Sequence, residues 1–226
     1  MSGKLIVLEG IDGSGKGTQA DLLRRNLEDA GVRCALLSFP RYQQTEFGRQ
    51  IGRFLNGEFG ALDQVDPLLA SLLFAGDRWE SHGLLLESLD EQEVVLCDRY
   101  VASNIAHQAA KRAGAERAEL VQWIENLEFS LYQLPWPDLT LWLDLPVPEA
   151  QMLIARKSRR TYTEKAADLQ EADGDYLEQV RAVYEELAND RPAWRRIDCL
   201  SQGQLRDRDE IAAEVLETVR VVLQTT

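Results

Sequence analysis

A glycine-rich segment with one lysine is the first part of the sequence that could do chemistry. Residues 10–17 read Gly-Ile-Asp-Gly-Ser-Gly-Lys-Gly, directly after an apolar run and directly before a predicted helix. Glycines in this order let backbone N–H groups converge on phosphate oxygens, and the positive end of the helix adds to the attraction. The lysine then reaches the outer phosphates as a point charge. The segment predicts a phosphate-binding loop, formed by Gly10, Ile11, Asp12, Gly13, Ser14, Gly15, Lys16, Gly17 and Thr18.

The magnesium ligands of this loop are less regular. Many such loops place a Ser or Thr that binds Mg²⁺ directly after the lysine, but here that residue is Gly17. Thr18 and Asp12 are the candidates near the loop, and Asp98, at the carboxyl end of the third predicted strand, is placed to hold the ion through water. We therefore expect Mg²⁺, held by these three residues mostly through water. The order Gly-Lys-Gly-Thr-Gln resembles nucleoside monophosphate kinases such as adenylate kinase.

Composition places the chain among ordinary globular proteins and sets its charge. The 226 residues are 45% hydrophobic and 28% charged, and 25 basic against 38 acidic residues give a net charge of −13. A field of that sign repels a phosphate backbone, so we expect no nucleic-acid partner and no binding to an anionic membrane. Local positive groups must therefore hold any anionic substrate.

The cysteines and the amino-terminal segment bear on the compartment. The three cysteines are far apart and form no Cys-x-x-Cys pair, which is typical of free thiols in a reducing compartment. Two histidines are too few for a usual zinc site with them. The apolar run at residues 5–8 is too short for a signal peptide or a membrane span. We expect a cytoplasmic protein.

Five apolar runs separated by helical patterns indicate the architecture. Strands are predicted at residues 4–9, 33–39, 93–97, 139–145 and 194–199, and continuous apolar strands are typical of a parallel sheet covered on both faces. Helices are predicted at 17–30, from Thr45, from Asp66-Pro67, and at 100–113, 116–134 and 207–223. No linker or repeat divides the chain, so we expect a single α/β domain over residues 1–226.

Five basic residues crowd ten positions between 156 and 165: Arg156, Lys157, Arg159, Arg160 and Lys165. Such a run is commonly a solvated helix face. It follows the fourth predicted strand, however, and is the most anion-friendly segment of an acidic chain. Both interpretations stay open on these residues alone.

Four segments together resemble the thymidylate kinase family. They are Asp12 within the phosphate loop, Phe-Pro-Arg at 39–41, Phe-Ala-Gly-Asp-Arg at 74–78, and Asp-Arg-Tyr-Val-Ala-Ser-Asn at 98–104. The resemblance extends from Lys4 to about Leu187. It implies a three-layer P-loop NTPase fold with a five-stranded parallel sheet and a short lid at about 155–174. It also implies ATP as donor, dTMP as acceptor, Mg²⁺ and, usually, a homodimer.

The resemblance assigns the nucleoside end of the site. Phe74 would stack on thymine, although its position also suits plain helix packing. Arg78 would donate to a thymine carbonyl, and a charge there would be costly to leave buried otherwise. Asn104, with Ser103, would read the pyrimidine edge, because an amide matches both a donor and an acceptor. Phe39 would form a wall of the pocket.

The resemblance also assigns the phosphate end. Arg99 and Arg41 would hold the acceptor's phosphate, although from spacing alone Arg99 could equally be a surface arginine after a strand. Asp12 would lie near the sugar 3′-hydroxyl and the reacting phosphates. With Lys16 these residues make up most of the expected catalytic set.

Two features remain: the lid, and His107, which departs from the family's pattern. The loop offers no arginine, so the lid of the family would supply the catalytic one, Arg159 or Arg160. His107 stands where relatives place an aromatic residue near the sugar 2′ carbon. It would line the pocket and could relax the exclusion of ribonucleotides, or it is simply a core or surface histidine.

Two other functions stay open. One is a kinase for another monophosphate, AMP or UMP/CMP, which Gly-Lys-Gly-Thr-Gln suggests. The other is an ATP-binding module that transfers no phosphate. The segments at 74–78 and 98–104 argue against the first, and the intact Lys16, Asp98 and Arg99 argue against the second.

Overall fold

The computed structural model describes residues 3–61, 63–155 and 173–224. Its main sheet has five parallel strands: β1 (Lys4–Glu9), β2 (Cys34–Ser38), β3 (Val94–Asp98), β4 (Leu139–Asp144) and β5 (Trp194–Asp198). The spatial order is β2-β3-β1-β4-β5. Strands β1 and β2, and likewise β3 and β4, are therefore consecutive in the chain but not adjacent in the sheet. Every strand lies within about one residue of its predicted bounds, and the predicted α/β class is confirmed.

Helices cover both faces of this sheet, which is why its strands are apolar on both sides. The inner strands β1, β3 and β4 are almost completely buried, whereas β5 exposes two arginines at its edge. The α-helices of the described residues are α1 (Lys16–Asp29), α2 (Glu46–Leu55), α3 (Pro67–Glu80), α4 (His82–Glu91), α5 (Val101–Ala109), α6 (Gly114–Glu125), α7 (Val147–Ala155), α8 (Gly174–Asp190) and α9 (Arg208–Gln224).

Two of these helices begin where the sequence predicts, at Thr45 and at Asp66. The side chain of Thr45 accepts from the backbone N–H of Gly48 at the start of α2. Asp66 accepts from the N–H of Leu68 at the start of α3, with proline at the first helical position. Helices α4, α7 and α8 were not among the predicted elements, nor was the two-stranded hairpin β6 (Leu200–Ser201) and β7 (Gln204–Leu205).

The helix predicted at 116–134 differs from the structure. It is α6, which begins at Gly114 and continues as a π-helical turn over Asn126–Leu131. A π turn holds an extra residue and shifts the side-chain register, and such turns are frequent at functional sites. Here the turn buries Leu127 and Glu128 and leaves Leu131 exposed.

The helix arrangement gathers the site on one side of the sheet. Helix α5 packs against α3, α6 and α8, and it starts directly after the carboxyl end of β3. The loop after β1 lies beside it, because Leu8 is paired with Asp98 in the parallel register. Ligand sites of open α/β sheets lie at such carboxyl ends. None of the described helices is long and apolar enough to span a membrane.

Candidate functional site: a phosphate loop beside a buried polar pocket

The phosphate loop has the backbone that its glycines predict. Gly10, Gly13 and Gly15 have φ angles of 146°, 85° and 89°, in the region that side chains disfavour. A Cβ on Gly13 would also lie 2.4 Å from the carbonyl oxygen of Ala150. The hydroxyl of Ser14 is buried, and no described residue contacts it as a hydrogen-bond partner. The loop therefore holds polar groups that an anion can use.

Lys16 lies inside this loop rather than in solvent. Its Nζ donates to the carbonyl oxygen of Ile11 at 2.7 Å. Burial, followed by the charge of Arg99, lowers the pKa of Lys16 to about 8. The lysine therefore has a backbone partner and no carboxylate hydrogen bond among the described residues. Such a cation gains energy when a phosphate arrives.

Arg99 crosses from the end of β3 to the phosphate loop. Its backbone φ is 69°, and its N–H donates to the carbonyl oxygen of Leu8 at 3.0 Å. Its guanidinium pairs with Asp12 and donates to Ser103 Oγ at 3.1 Å and to Gly10 O at 3.4 Å. A non-glycine residue at positive φ is strained and is commonly found at functional sites. Here it turns a large cation back toward the loop.

Glu9, at the end of β1, supports this arrangement. It is fully buried and accepts from the N–H groups of Tyr100 at 2.8 Å and Ser103 at 3.1 Å, and from the hydroxyls of Ser103 at 2.6 Å and Tyr184 at 2.9 Å. Burial raises its pKa. Sequence reasoning missed Glu9, although a carboxylate that ends an otherwise apolar strand was a usable signal. It fixes the start of α5, which carries three candidate site residues.

Asp98 is the best placed of the expected magnesium donors. Its Oδ1 is buried without a hydrogen-bond partner among the described residues, and its Oδ2 would lie 3.0 Å from a Cβ added to Gly17. The carboxylate thus faces the first turn of α1, and Gly17 leaves room for it. Thr18 is exposed beside it. The described residues form no group of three His, Cys, Asp or Glu that could hold a metal by themselves, so these donors suit an ion that keeps its waters.

The predicted base-reading residues meet at a buried ion pair. Arg78 on α3 is 3% exposed and forms two hydrogen bonds to Glu128, with Nη2 to Oε1 at 2.7 Å and Nε to Oε2. Burial opposes the charge of Arg78, but the Glu128 carboxylate outweighs it and the pKa of Arg78 is raised. Asn104 Nδ2 donates to the same Oε1 at 2.9 Å and to the carbonyl oxygen of Ser71 at 3.0 Å. Its Oδ1 is buried without a partner among the described residues.

The two predicted phenylalanines occupy different environments. Phe74 is half-buried on α3, with its ring edge-on to Phe54 at 6.3 Å between centroids. Phe39 is buried in the main core, with its ring 6.2 Å from that of Tyr100. Phe74 is thus partly accessible, whereas Phe39 is not.

Arg41 is positioned by Asp77, a buried aspartate of α3. Asp77 Oδ2 accepts from the N–H of Arg41 at 2.9 Å, and its Oδ1 accepts from Thr45. The Arg41 guanidinium donates to Ser81 Oγ at 3.1 Å. Burial raises the pKa of Asp77. The sequence showed only that α3 becomes polar here, not that this carboxylate holds the segment after β2.

His107 lies in the interior of the site. Its Nδ1 is 3.0 Å from the hydroxyl of Tyr176 on α8, which donates to the His107 carbonyl oxygen at 2.8 Å. Because that hydroxyl has one proton, Nδ1 must be the donor of the first contact, and Nε2 carries the lone pair. Nε2 is 3.9 Å from Asp12 Oδ2. Burial and the charge of Arg99 lower the pKa of His107 to about 3, so the ring is neutral.

The structure therefore gathers most of the expected residues into two adjoining groups. The phosphate group contains Asp12, Lys16, Asp98, Arg99, Ser103 and His107, and the base group contains Phe74, Arg78 and Asn104. Arg41 lies at the end of α3 instead, beside Ser81. The basic run from Arg156 to Lys165, with Arg159 and Arg160, lies outside the described residues.

Comparisons with known proteins find one family over most of the chain. A family model described as thymidylate kinase matches residues 8–206. A probable thymidylate kinase of Pyrococcus horikoshii is 37% identical over 204 residues, which is 89% of this chain and 90% of that protein. The thymidylate kinase of Mycobacterium tuberculosis is 34% identical over 186 residues, 81% and 85% of the two chains.

A solved structure shows the same fold. The thymidylate kinase of Candida albicans has a TM-score of 0.74 and 26% sequence identity, and the similarity covers 97% of this chain and 92% of that one. The five-stranded parallel sheet with helices on both faces matches that structure, which confirms the P-loop NTPase fold that the family resemblance implied. This chain belongs to the thymidylate kinase family.

Proposed function

We propose that this chain transfers the γ-phosphoryl group of ATP to the phosphate of dTMP, which yields dTDP and ADP. The family membership supports this activity and gives no support to an AMP kinase, a UMP/CMP kinase or a non-catalytic ATP-binding module. The observation that carries the choice of acceptor is the locked amide of Asn104. Both hydrogen-bonding partners of its Nδ2 are acceptors, so Oδ1 must be the atom that is left for a base.

A thymine edge complements this pocket. Its N3–H would donate to Asn104 Oδ1, and a neighbouring carbonyl would accept from Arg78, while Phe74 stacks on the ring. The N3 atom of cytosine carries a lone pair instead of a hydrogen and would be repelled by the acceptor Oδ1, so cytosine is disfavoured. Ser103 is less suited to the base, because its hydroxyl is engaged with Glu9 and Arg99. We assign Ser103 to the positioning of Arg99.

The phosphate end supplies charge and alignment rather than a base. A phosphate monoester has a second pKa of about 6 and is mostly dianionic at neutral pH, so it attacks without losing a proton to the protein. Lys16 would hold the ATP phosphates, and Arg99, with Arg41 at the rim, would hold the acceptor's phosphate. The guanidinium of Arg99 has more N–H donors than the contacts it makes with Asp12, Ser103 and Gly10 among the described residues, so donors are left for a phosphate. Holding the two anions in line makes up most of such catalysis.

Mg²⁺ would sit between the loop and Asp98. The Oδ1 of Asp98, which is buried and has no hydrogen-bond partner in the part of the chain that the structure describes, fits an ion or its water shell, with Thr18 and Asp12 as further oxygen donors. Bound there, the ion would neutralise charge on the phosphates. We propose Arg159 or Arg160 of the predicted lid as the catalytic arginine, because Lys16 is the one basic residue of the phosphate loop.

We place His107 against the sugar. Its Nε2 lone pair and Asp12 Oδ2 are two acceptors 3.9 Å apart, and a hydroxyl group of the sugar is the donor that suits such a pair. The 3′-hydroxyl of dTMP fits Asp12, as the family resemblance implies. A 2′-hydroxyl could donate to Nε2, so His107 would weaken the exclusion of ribonucleotides.

We infer a cytoplasmic homodimer. The three cysteines are all free, which suits a reducing compartment. Trp79, Leu131 and Trp136 are 50%, 70% and 59% exposed around the end of α3 and the π turn, where Trp79 and Tyr132 have ring centroids 5.0 Å apart. Large apolar side chains that cluster on a surface are typical of an interface. Sedimentation analysis of the wild type and of Trp79→Glu tests this, and a wild-type monomer would contradict it.

The activity is tested by ADP release from ATP across dTMP, dUMP, UMP, dCMP, CMP and AMP. We expect the highest kcat/KM with dTMP, and measurable but lower values with dUMP. A reaction without acceptor corrects for ATP hydrolysis. A preference for AMP, UMP or CMP would overturn the proposal, as would nucleotide binding with no turnover on any monophosphate.

A further inference from the structure

We propose that Glu128 is a positioning residue that determines which pyrimidine the site accepts, because it fixes the orientation of Arg78 and Asn104 together. The inference rests on the proposed function, since it concerns how the base of the acceptor is read. Glu128 itself is fully buried in the π turn and acts through these two side chains.

The first part of this role is the orientation of the Asn104 amide. Its NH₂ group lies between Glu128 Oε1 at 2.9 Å and the carbonyl oxygen of Ser71 at 3.0 Å. Turning the amide over would place its oxygen against two acceptors, one of them charged. Because a charged acceptor makes a stronger hydrogen bond than a neutral one, Glu128 contributes the larger share of this preference. It thereby keeps Oδ1 available to a donor on the base.

The second part is the orientation of Arg78. Both Nε and Nη2 of the guanidinium are bound to Glu128, a planar two-point contact that fixes the plane of the group. Nη1 then points away from Glu128 and can donate to a base. Glu128 thus fixes the orientation of one acceptor, Asn104 Oδ1, and of one donor, Arg78 Nη1, the pair of groups that an N3–H and its neighbouring carbonyl require.

The π turn is what brings Glu128 to this position. The chain continues from α6 without a break, but the turn over Asn126–Leu131 buries two successive side chains, Leu127 and Glu128. Glu125, three residues before Glu128, lies outside this pocket and pairs with Arg191. The two glutamates therefore differ in environment although they lie in the same helical segment.

The test replaces Glu128 by glutamine, which has the same shape and one acceptor fewer. In Glu128→Gln, one carboxylate oxygen becomes an NH₂ group, which faces a donor of Arg78 or of Asn104, and the amide of Asn104 is free to turn. We expect KM for dTMP to rise about tenfold and the dTMP-to-dCMP ratio of kcat/KM to fall about tenfold or more, because discrimination by a buried polar site depends on its orientation. KM for ATP and kcat with dTMP should change by less than about threefold, since the phosphate end is intact.

Glu125→Gln is the matched control and should leave the dTMP-to-dCMP ratio unchanged. Glu128→Asp is the second variant, because it keeps the charge that Arg78 needs but is too short to reach both partners; it should lower the same ratio even if Glu128→Gln does not fold. A folded Glu128 variant with the wild-type ratio would overturn the inference. A wild-type protein without dTMP kinase activity would instead overturn the proposed function, so the two failures are distinguishable.

Discussion

Lys16 and Arg78 are both buried cations of the candidate site, and their partners differ. Lys16 donates to a backbone carbonyl, and burial lowers its pKa to about 8. Arg78 forms a two-point ion pair with the fully buried Glu128, which raises its pKa. The phosphate end thus holds a cation that awaits an anion, whereas the base end is neutralised within the protein. At the phosphate end, the charge of Lys16 is available to bind and stabilise the phosphates. At the base end, the charge of Arg78 is paired within the protein, and recognition depends on the arrangement of hydrogen-bonding groups.

This contrast predicts the largest effect for Arg78→Met. The substitution leaves Glu128 buried without its cation, so we expect a loss of about 3–5 kcal/mol in the free energy of unfolding. Denaturant unfolding measures it. The double variant Arg78→Met, Glu128→Leu should recover much of the stability and none of the affinity for dTMP. Unchanged stability of the single variant would contradict the assignment of the pair as a structural element.

Lys16→Met should have a large effect on activity and a small effect on stability. We expect kcat/KM with ATP to fall about 10²–10³-fold, because one preorganised donor to the migrating charge is lost. The midpoint of thermal unfolding should stay within a few degrees of wild type, since a cation that burial disfavours has been removed. Lys4→Met, which removes a half-buried lysine paired with Asp138, is the control and should retain full activity. A stable Lys16 variant with normal turnover would remove Lys16 from the mechanism.

The lowered pKa of Lys16 predicts that activity depends on pH. Lys16 is charged below about pH 8 in the free protein and loses its charge as the pH rises through that value. Binding of ATP favours the charged form, so kcat/KM for ATP should fall above pH 8, by at most about tenfold per pH unit. Because burial also lowers the pKa of Lys111 to about 8, Lys111→Met is the necessary control. If the fall disappears in Lys111→Met, Lys16 is not its source.

The smallest effect concerns His107 and the sugar. A phenylalanine there removes the Nε2 acceptor, so His107→Phe should lower kcat/KM for UMP more than for dUMP. We expect the ratio of the two to change about fivefold, the value of one net hydrogen bond. Because the pKa of His107 is lowered to about 3, the ratio should not depend on pH between 6 and 8. An unchanged ratio would return His107 to the role of a core residue.

Prediction from sequence succeeded where neighbouring residues decide the structure. The phosphate loop, the five strands, the start of α2 near Thr45 and the cap Asp66 all depend on local backbone preferences and on apolar runs, and the structure has them at the expected positions. The loop glycines have the positive φ angles that their spacing implied. The family resemblance then indicated which polar residues would meet.

The supporting carboxylates are harder to find from local patterns, although the position of Glu9 at the end of an apolar strand is a usable signal. Glu9, Asp77 and Glu128 are fully buried and hold the candidate site residues in place, but each contacts partners that are distant in the chain; Glu128 lies 50 residues from Arg78. A glutamate in an otherwise ordinary helical stretch shows no periodicity that marks it as buried. The π turn that directs it inward was likewise predicted as plain helix.

The sequence by itself determined the phosphate-binding loop, the parallel sheet and the family, because these depend on short motifs and on hydrophobic periodicity. Only the tertiary structure decided which acceptor each buried donor found: Asp12 for Arg99, Glu128 for Arg78 and Asn104, and Tyr176 for His107. Buried polar groups must be paired, and the packing of α3, α5, α8 and the π turn chooses among many possible pairs. That choice fixes proton positions and amide orientations, on which base and sugar recognition depend.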